Sequence, residues 1–166
     1  MWSDVVDLHE FYRSQLGQVA RRLIRGRIRA FWPEVRGMTV LGLGYATPYL
    51  RQFLGEAERV FALAPMAQGV MRWPSDKPSL VTLADETELP LADLSIDRLL
   101  IVHAAEYSEN QRAMMREAWR VLSGNGRLLM IIPNRRGIWA CIESTPIGHG
   151  RPYSPGQLKR LLKDCL

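Results

Sequence analysis

Cysteine and histidine are scarce in this sequence, and their scarcity limits the chemistry open to it. The 166 residues include two cysteines, Cys141 and Cys165, and three histidines that lie far apart. Two cysteines cannot build a disulfide framework or a four-ligand zinc site, and the histidines have no metal-ligand spacing. We therefore expect no metal site and a reduced, cytoplasmic protein.

Long hydrophobic runs are also absent. No apolar stretch approaches the roughly 20 residues that a helix needs to cross a bilayer. The first ten residues, MWSDVVDLHE, contain early acids and no apolar segment of the kind found in a secretion signal. The sequence therefore predicts neither a membrane span nor a secretion signal.

Lysine is rare, and arginine supplies nearly all of the positive charge. The chain has three lysines against nineteen arginines, with a net charge of +5 and a pI near 9.6. Arginine suits the recognition of phosphate and carboxylate groups. Charge alone does not indicate nucleic-acid binding, so the excess is compatible with several classes of anionic partner.

The N-terminal part, residues 4–31, has the apolar spacing of a helix. Much of the remaining surface of that helix is arginine, at positions Arg13, Arg21, Arg22, Arg25, Arg27 and Arg29. A basic face of this kind suits an anionic substrate, a membrane surface or RNA. It equally suits a solvated face on a helix that packs over a sheet, and the sequence leaves these alternatives open.

From residue 37 onward, short apolar runs alternate with helical segments. The runs are nearly continuous, which is typical of strands whose two faces are both covered by helices. Five strands are predicted, at residues 38–44, 58–64, 79–85, 96–104 and 126–133. Alternation of strands and helices favours right-handed crossovers and a parallel sheet. The predicted fold class is therefore α/β.

Capping residues mark the predicted helix starts. Thr47, followed by Pro48, is the expected cap of a helix that Gly55 ends. Capping boxes at Ser108 and Ser154 predict two later helices. The first of these runs to about residue 123, and the second lies at the end of the chain.

The turn after the first strand contains two glycines, Gly42 and Gly44. Parallel α/β sheets bind ligands beyond the carboxyl ends of their strands, where the strand order reverses. Glycine lets the backbone approach a ligand closely, and the following helix offers free N–H groups. The turn lacks the third glycine of a dinucleotide fingerprint, and a plain strand-to-helix turn would also use glycine.

Four segments taken in order carry a family resemblance: VLGLGYATPYL, RVFALAPM, LADETELPLADLSIDRLLIVHAAEY and REAWRVLSGNGRLLMIIPN. Together they resemble the class I S-adenosylmethionine-dependent methyltransferases of the small-molecule type, over roughly residues 38–160. The resemblance implies a Rossmann-like, doubly wound sheet of about five strands in the order 3-2-1-4-5. It also implies S-adenosylmethionine as the cofactor and methyl transfer to a small molecule.

The resemblance further implies where the cofactor binds. Gly42, Leu43, Gly44 and Tyr45 match the turn that wraps the methionine end of the cofactor. Ala64 falls where the family has the second-strand acid that holds the ribose hydroxyls. These five residues are therefore candidate cofactor contacts.

Two later segments complete the implied site. Asp85 and Glu86 match the place where an acid meets the adenine amino group, although acids at a strand end can instead form turns and caps. The loop from His103 to Tyr107 matches the one that faces cofactor and substrate. His103 is a candidate cofactor contact and general base, and a structural strand-end histidine is the alternative.

The sequence departs from the family pattern at two places. The family usually has an acid where Gly42 stands and a glycine where Ala46 stands, and it usually ends the second strand in Asp or Glu where this chain has Ala64 and Pro65. A hydrogen bond to a charged group is worth about 1.5–3 kcal/mol, so losing one weakens binding roughly 10- to 150-fold.

Two other functions therefore stand beside that of a methyltransferase. One is a non-catalytic scaffold or regulatory subunit that keeps the fold without the cofactor. The other is an RNA-associated protein that uses the arginine-rich N-terminal helix.

The chain is expected to form one domain over residues 1–166. Residues 1–36 are a helical extension, residues 37–133 the nucleotide-binding core, and residues 134–166 a loop and a C-terminal helix. The family normally adds a helix and an antiparallel strand pair that this sequence lacks, which would leave the fifth strand as an open edge. We expect residues 134–166, a second copy or another protein to cover that edge; a truncated chain would explain the ending equally well.

Overall fold

The structure, a computed structural model, describes residues 3–134, 151 and 153–165. Its helices are α1 (Val5–Arg13), α2 (Gln15–Phe31), α3 (Thr47–Leu50, continued by a 3₁₀ turn at Arg51–Phe53), α4 (Gln111–Val121) and α5 (Pro155–Cys165). Its strands are β1 (Thr39–Gly44), β2 (Arg59–Pro65), β3 (Val81–Ala84), β4 (Ile96–Val102) and β5 (Leu122–Ile131). The predicted α/β class is confirmed.

The described strands form one parallel sheet in the predicted order, β3-β2-β1-β4-β5. The central strand is β1, where Leu41 pairs with Phe61 of β2 on one side and with Leu99 of β4 on the other. The strand order therefore reverses between β1 and β4. In sheets of this kind, ligands bind at the carboxyl ends of the strands beside that reversal.

Apolar side chains fill both faces of the sheet. One cluster packs beneath α1, α2 and α3 and includes Leu8, Trp32 and Tyr49. The other packs beneath α4 and includes Leu99 and Met114. Burial on both faces explains the apolar runs at residues 40–43 of β1 and 99–102 of β4.

The prediction of one helix over residues 4–31 is wrong, because α1 and α2 meet at an extended residue, Ser14. Ser14 ends one helix and begins the next: its N–H donates to the carbonyls of Glu10 and Phe11, and its hydroxyl accepts from the N–H of Gly17. Serine competes for backbone hydrogen bonds and so favours caps over helix interiors. A Cβ at Gly17 would lie 2.0 Å from the Phe11 carbonyl oxygen, so this corner requires glycine.

Two of the predicted helix starts are wrong and one is confirmed. Thr47 is the first residue of α3, and no side chain of the described residues caps that helix. Ser108 is buried and donates its hydroxyl to Glu86, so Asn110 caps α4 instead. Ser154 caps α5 as predicted, by exchanging hydrogen bonds with the residue three positions later.

The last described strand, β5, has α5 on one of its faces. Leu162 of α5 joins the cluster beneath α4, and Tyr153 pairs with Asn134 just beyond the end of β5. The expected cover over the edge of β5 stays a prediction, because residues 135–150 and 152 lie outside the described ranges. The division of residues 1–166 into three parts likewise stays a prediction.

The described helices are short or strongly charged. None of them is both long and apolar enough to span a bilayer. The longest described helix, α2, has 17 residues, and five of them are arginine.

Gly42 and Gly44 are both required by packing inside the protein. A Cβ at Gly42 would lie 2.6 Å from the Cβ of Ala46 and 2.7 Å from the Cδ1 of Leu50. Gly44 has a φ of +82°, and its Cβ would lie 2.2 Å from the carbonyl oxygen of Val102. The two glycines therefore let α3 and β4 approach β1, and they shape the carboxyl end of the sheet.

Replacing Gly44 with alanine should destabilise the protein more than the same change at Gly55. Gly55 also has a positive φ, of +84°, but nothing lies within 4 Å of its added Cβ. Gly55→Ala should cost about 1–2 kcal/mol, the usual cost of a left-handed backbone for alanine, whereas Gly44→Ala adds a clash with the backbone of Val102. Urea unfolding measures both variants, and equal losses in the free energy of unfolding would contradict this packing role.

Candidate functional site

A cavity of about 470 Å³ lies at the carboxyl ends of β1 and β2. Its walls come from α1, α2, the turn between β1 and α3, the end of β2 and the loop that follows β2. Gly44 and Tyr45 line it from the turn, Ala64 lines it from β2, and Gln68 lines it from the loop. The cavity therefore lies at the position that the sheet topology assigns to a ligand.

Arginine dominates the charged lining of this cavity. Arg13 comes from α1, Arg21 and Arg25 from α2, Arg51 from the turn after α3, and Arg72 from the loop after β2. No aspartate or glutamate of the described chain lines the cavity. Its potential is therefore strongly positive.

Helix α1 is held over the carboxyl end of the sheet by a chain of buried hydrogen bonds. The hydroxyl of Tyr49 donates to the hydroxyl of Tyr12 at 2.8 Å, and the hydroxyl of Tyr12 lies 2.9 Å from Nε2 of His103. Nδ1 of His103 lies 3.0 Å from Oε1 of Glu106. Both ring nitrogens of His103 therefore have a hydrogen-bond partner, Tyr12 at Nε2 and Glu106 at Nδ1. This series of hydrogen bonds joins α3, α1 and the loop after β4.

Burial keeps the tyrosines of this region protonated. It raises the pKa of Tyr12 well above its ordinary value of 10.0, and neighbouring Tyr49 adds to the effect. It also raises the pKa of Tyr45 and of Tyr49 to about 12, with the charge of Arg21 acting in the opposite direction on both. All three phenols are therefore neutral hydrogen-bond donors at physiological pH.

Three further contacts hold α1 and the neighbouring loops together. The hydroxyl of Ser3 lies 2.7 Å from that of Tyr107, and the N–H of Val5 donates to the carbonyl of Gln68 at 2.9 Å. Nε2 of Gln68 donates to the carbonyl of His103 at 2.7 Å. Helix α1 is therefore an integral wall of the site.

Three of the five residues predicted at the methionine and ribose ends line the cavity: Gly44, Tyr45 and Ala64. Gly42 and Leu43 lie behind them in β1, where Leu43 is fully buried. The structure thus brings the turn and the end of β2 together as expected. A direct contact of each residue with a cofactor stays a prediction.

Asp85 and Glu86 lie outside the cavity lining. Asp85 is exposed, and its Oδ1 accepts hydrogen bonds from the hydroxyl and the N–H of Thr87, which hold the pKa of the carboxyl below its ordinary value. Oε1 of Glu86 accepts from the Ser108 hydroxyl at 3.1 Å. Asp85 thus organises a turn, and Glu86 links that turn to the loop before α4. Contact of either acid with adenine stays a prediction.

His103 does not line the cavity, but it bonds Tyr12, which does. Its side chain is 3% exposed, and its φ of +49° lies in the left-handed region that non-glycine residues seldom adopt. Both ring nitrogens are engaged by protein groups. The structure therefore places His103 as a link between α1 and Glu106, and its role as a general base stays a prediction.

Sequence reasoning missed Tyr12, Gln68 and the convergence of the arginines. The basic face of the N-terminal helix was predicted, but not that its Arg13, Arg21 and Arg25 meet Arg51 and Arg72 at one cavity. Tyr12 and Gln68 gave no signal, because their partners are distant in sequence. Oε1 of Gln68 is buried and has no hydrogen-bond partner among the described residues.

More than half of the chain matches a known protein family. The family model described as a methyltransferase domain matches residues 40–130, from β1 into β5. The chain belongs to the methyltransferase domain family. The family and the names of the relatives below support S-adenosylmethionine as the cofactor.

Two proteins of Mycobacterium tuberculosis, from strains CDC 1551 and H37Rv, are 36% identical to this chain over 87 residues. Both bear the name "Probable S-adenosylmethionine-dependent methyltransferase". The match covers 51% of this chain and 31% of each relative. The shared part is thus about a third of the relatives' length.

Solved structures share the architecture. A methyltransferase of Archaeoglobus fulgidus has a TM-score of 0.72 at 21% identity, covering 98% of this chain and 74% of that one. A Haloferax volcanii protein in complex with the Trm112 methyltransferase activator has a TM-score of 0.71 at 20% identity, covering 98% and 75%. The [4+2]-cyclase SpnF has a TM-score of 0.67 at 19% identity, covering 92% and 60%. Such likeness shows the fold alone, and the fold does not fix the reaction.

The cavity can accommodate the ribose of S-adenosylmethionine, but the hydrogen-bond acceptor for its hydroxyls would differ from the family's usual acid. Ala64 lines the cavity at the position of that acid, and Gln68 lines it four residues later. The unpartnered Oε1 of Gln68 can accept a hydrogen bond from a hydroxyl. A neutral acceptor binds a hydroxyl less strongly than a carboxylate does, so the residues fit the cofactor at reduced affinity.

Removing the hydroxyl of Tyr12 should loosen α1. Tyr12→Phe deletes two hydrogen bonds and leaves Nε2 of His103 buried without its partner, which should cost about 1–3 kcal/mol. The matched control is Tyr153→Phe, because the hydroxyl of Tyr153 is buried with no hydrogen-bond partner in the described ranges. Denaturant unfolding and amide hydrogen exchange within α1 measure the effect. Equal stability of the two variants would show that the hydrogen bonds of Tyr12 do not hold α1 in place.

Proposed function

We propose that this chain is an S-adenosylmethionine-dependent methyltransferase domain that acts on a small molecule in the cytoplasm. The observation that carries the proposal is the cavity of about 470 Å³ beside the β1 turn and the end of β2. Nucleotide ligands bind at this point of parallel α/β sheets. The volume also falls within the range of small-molecule pockets, about 300–1,000 Å³.

In this proposal the turn after β1 holds the methionine end of the cofactor. Gly44 and Tyr45 contact it, and Gly42 and Leu43 shape the turn from behind. The small side chain of Ala64 leaves room for the ribose at the end of β2. These roles are supported by the position of Gly44, Tyr45 and Ala64 on the cavity wall.

The remaining residues act from the neighbouring strand ends. Asp85 and Glu86 follow β3, the strand beside β2, and we assign one of them to the adenine amino group. His103 follows β4 and either acts as a general base or positions α1. The bound cofactor supplies a methyl group on a sulfonium, and the chain contributes orientation of the acceptor and exclusion of water by α1.

A non-catalytic scaffold or regulatory subunit is the second candidate. It is favoured by one observation: no carboxylate of the described residues lines the cavity. Without an acid for the ribose hydroxyls, cofactor affinity falls roughly 10-fold or more. A chain with such a site could keep the fold for a structural role alone.

We further propose that a second copy of the chain or another protein covers the edge of β5. Natural proteins seldom leave a strand edge unpaired, and β5 has one strand neighbour, β4, in the described sheet. The Haloferax volcanii neighbour assembles with an activator protein. This supports a protein partner as one occupant of that edge.

Introducing an acid at the end of β2 should strengthen cofactor binding. Ala64→Asp should tighten S-adenosylhomocysteine about 10-fold, because a carboxylate accepts both ribose hydroxyls. The matched control is Met66→Asp, which adds the same charge two residues later at a side chain that is 70% exposed and outside the cavity lining. Isothermal titration calorimetry measures the dissociation constants, and circular dichroism confirms that each variant is folded.

The results separate the two candidate functions. The methyltransferase proposal is supported if S-adenosylhomocysteine binds to the wild type, binds more tightly to Ala64→Asp, and binds with unchanged affinity to Met66→Asp. Absence of binding at millimolar ligand in both the wild type and a folded Ala64→Asp variant would overturn it and favour the scaffold.

A further inference from the structure

Five arginines from four separate segments converge on the cavity. Arg21 and Arg25 lie one helical turn apart on α2, and Arg13, Arg51 and Arg72 come from α1, the turn after α3 and the loop after β2. The charge of Arg21 reaches the hydroxyls of Tyr45 and Tyr49, whose pKa values it lowers against the larger effect of burial. The charge of half-buried Arg21 therefore acts on the tyrosines of the site, whereas Arg13, Arg25, Arg51 and Arg72 are exposed at the cavity wall.

These arginines lack the partners that other arginines of the chain have. Arg29 pairs with Glu56, Arg112 pairs with Asp164, and Arg120 pairs with both Glu117 and Asp93. In contrast, the side chains of four cavity arginines form no hydrogen bond or ion pair within the described residues: Arg13, Arg21, Arg25 and Arg51. The fifth, Arg72, donates to the carbonyl of Lys77.

Unpaired like charges are unfavourable at this spacing. Two like charges four residues apart destabilise a helix, and the lining supplies no carboxylate to offset them. A bound anion would offset this repulsion and replace water at the guanidinium donors, which are exposed in all but Arg21. Arginine is suited to that role, because its planar donor fork matches phosphate and carboxylate oxygens.

We infer that the arginine-lined part of this cavity binds a small-molecule anion carrying at least two negative charges, of the class of phosphate esters and diphosphates, while the turn after β1 and the end of β2 hold the cofactor. This ligand is the methyl acceptor, an assignment that rests on the proposed function. The positive cavity attracts such an acceptor and holds it by its anionic group. The site is concave, with Tyr45 and Trp73 among its aromatic lining residues, so it suits a small molecule that has an unsaturated or apolar part beside its anionic group.

The first test uses inorganic pyrophosphate, titrated calorimetrically at constant ionic strength against a chloride control. The site variant is the double substitution Arg21→Gln and Arg25→Gln, and the matched control is Arg22→Gln and Arg27→Gln. Both remove two charges from α2, but Arg22 and Arg27 do not line the cavity. We expect wild-type affinity in the control and at least about 10-fold weaker binding in the site variant.

A second pair of variants covers the case in which the double substitution on α2 does not fold. Arg51→Gln removes an exposed cavity arginine from another element, and Arg59→Gln is its control at the exposed start of β2. Pyrophosphate should bind more weakly to Arg51→Gln alone. If the site and control variants lose pyrophosphate affinity equally, the effect is one of general charge and the inference is overturned. Absence of pyrophosphate binding to the wild type at millimolar concentration would also overturn it.

Two more outcomes would overturn the inference. In the first, a single-stranded RNA binds to the protein, both double variants weaken that binding equally, and pyrophosphate does not displace the RNA. This result would assign the arginines of α2 to RNA. In the second, pyrophosphate and S-adenosylhomocysteine compete, and the double substitution of Arg21 and Arg25 lowers the affinity for both equally. This result would assign these arginines to the carboxylate of the cofactor.

Titrating S-adenosylhomocysteine separately distinguishes the two proposals. If it binds and pyrophosphate does not, the inference about the anion fails while the proposed function stands. If pyrophosphate binds to the cavity arginines and S-adenosylhomocysteine does not bind, the proposed function fails, and with it the assignment of the anion as methyl acceptor.

Discussion

The hydroxyl of Tyr12 is the junction on which the geometry of the site depends. It accepts a hydrogen bond from Tyr49 of α3 and shares another with His103 after β4, so one oxygen atom links the N-terminal helix to two parts of the core. The same helix supplies Val5 and His9 to the cavity wall. Without α1 the cavity at the carboxyl ends of β1 and β2 would lose one of its walls. The segment that precedes the sheet in sequence thus completes its ligand site.

Arginine has two different structural uses in this molecule. Arg120 is held by Glu117 and Asp93 and by the carbonyls of Leu89 and Leu91, so it fixes the segment before β4 against α4. The cavity arginines have no such acidic partners in the described chain. The same residue type therefore stabilises the fold where it is paired and creates a positive site where it is not. Net charge alone could not have separated these two uses.

The strands and their order were predictable, because burial on both faces leaves continuous apolar runs and the family pattern orders them. The positions of Gly44, Tyr45 and Ala64 at the cavity followed from the same pattern. The break at Ser14 was missed because apolar spacing continues through it while the serine takes over the backbone hydrogen bonds. Tyr12 and Gln68 could not have been found from spacing, since their contacts join distant segments. The glycines were predicted for ligand approach, and the structure shows that packing requires them.

The contact between Ser3 and Tyr107 joins residues 104 positions apart, and this separation bears on how the protein is made. Helix α1 leaves the ribosome before the sheet does, and its partners in the loop after β4 are synthesised roughly 5–20 s later at typical elongation rates. Closing so long a loop also delays its contacts relative to local structure. During that interval the apolar side chains of Leu8 and Phe11, buried in the finished protein, have no sheet to pack on. The ligand site is accordingly among the last parts of this molecule to form.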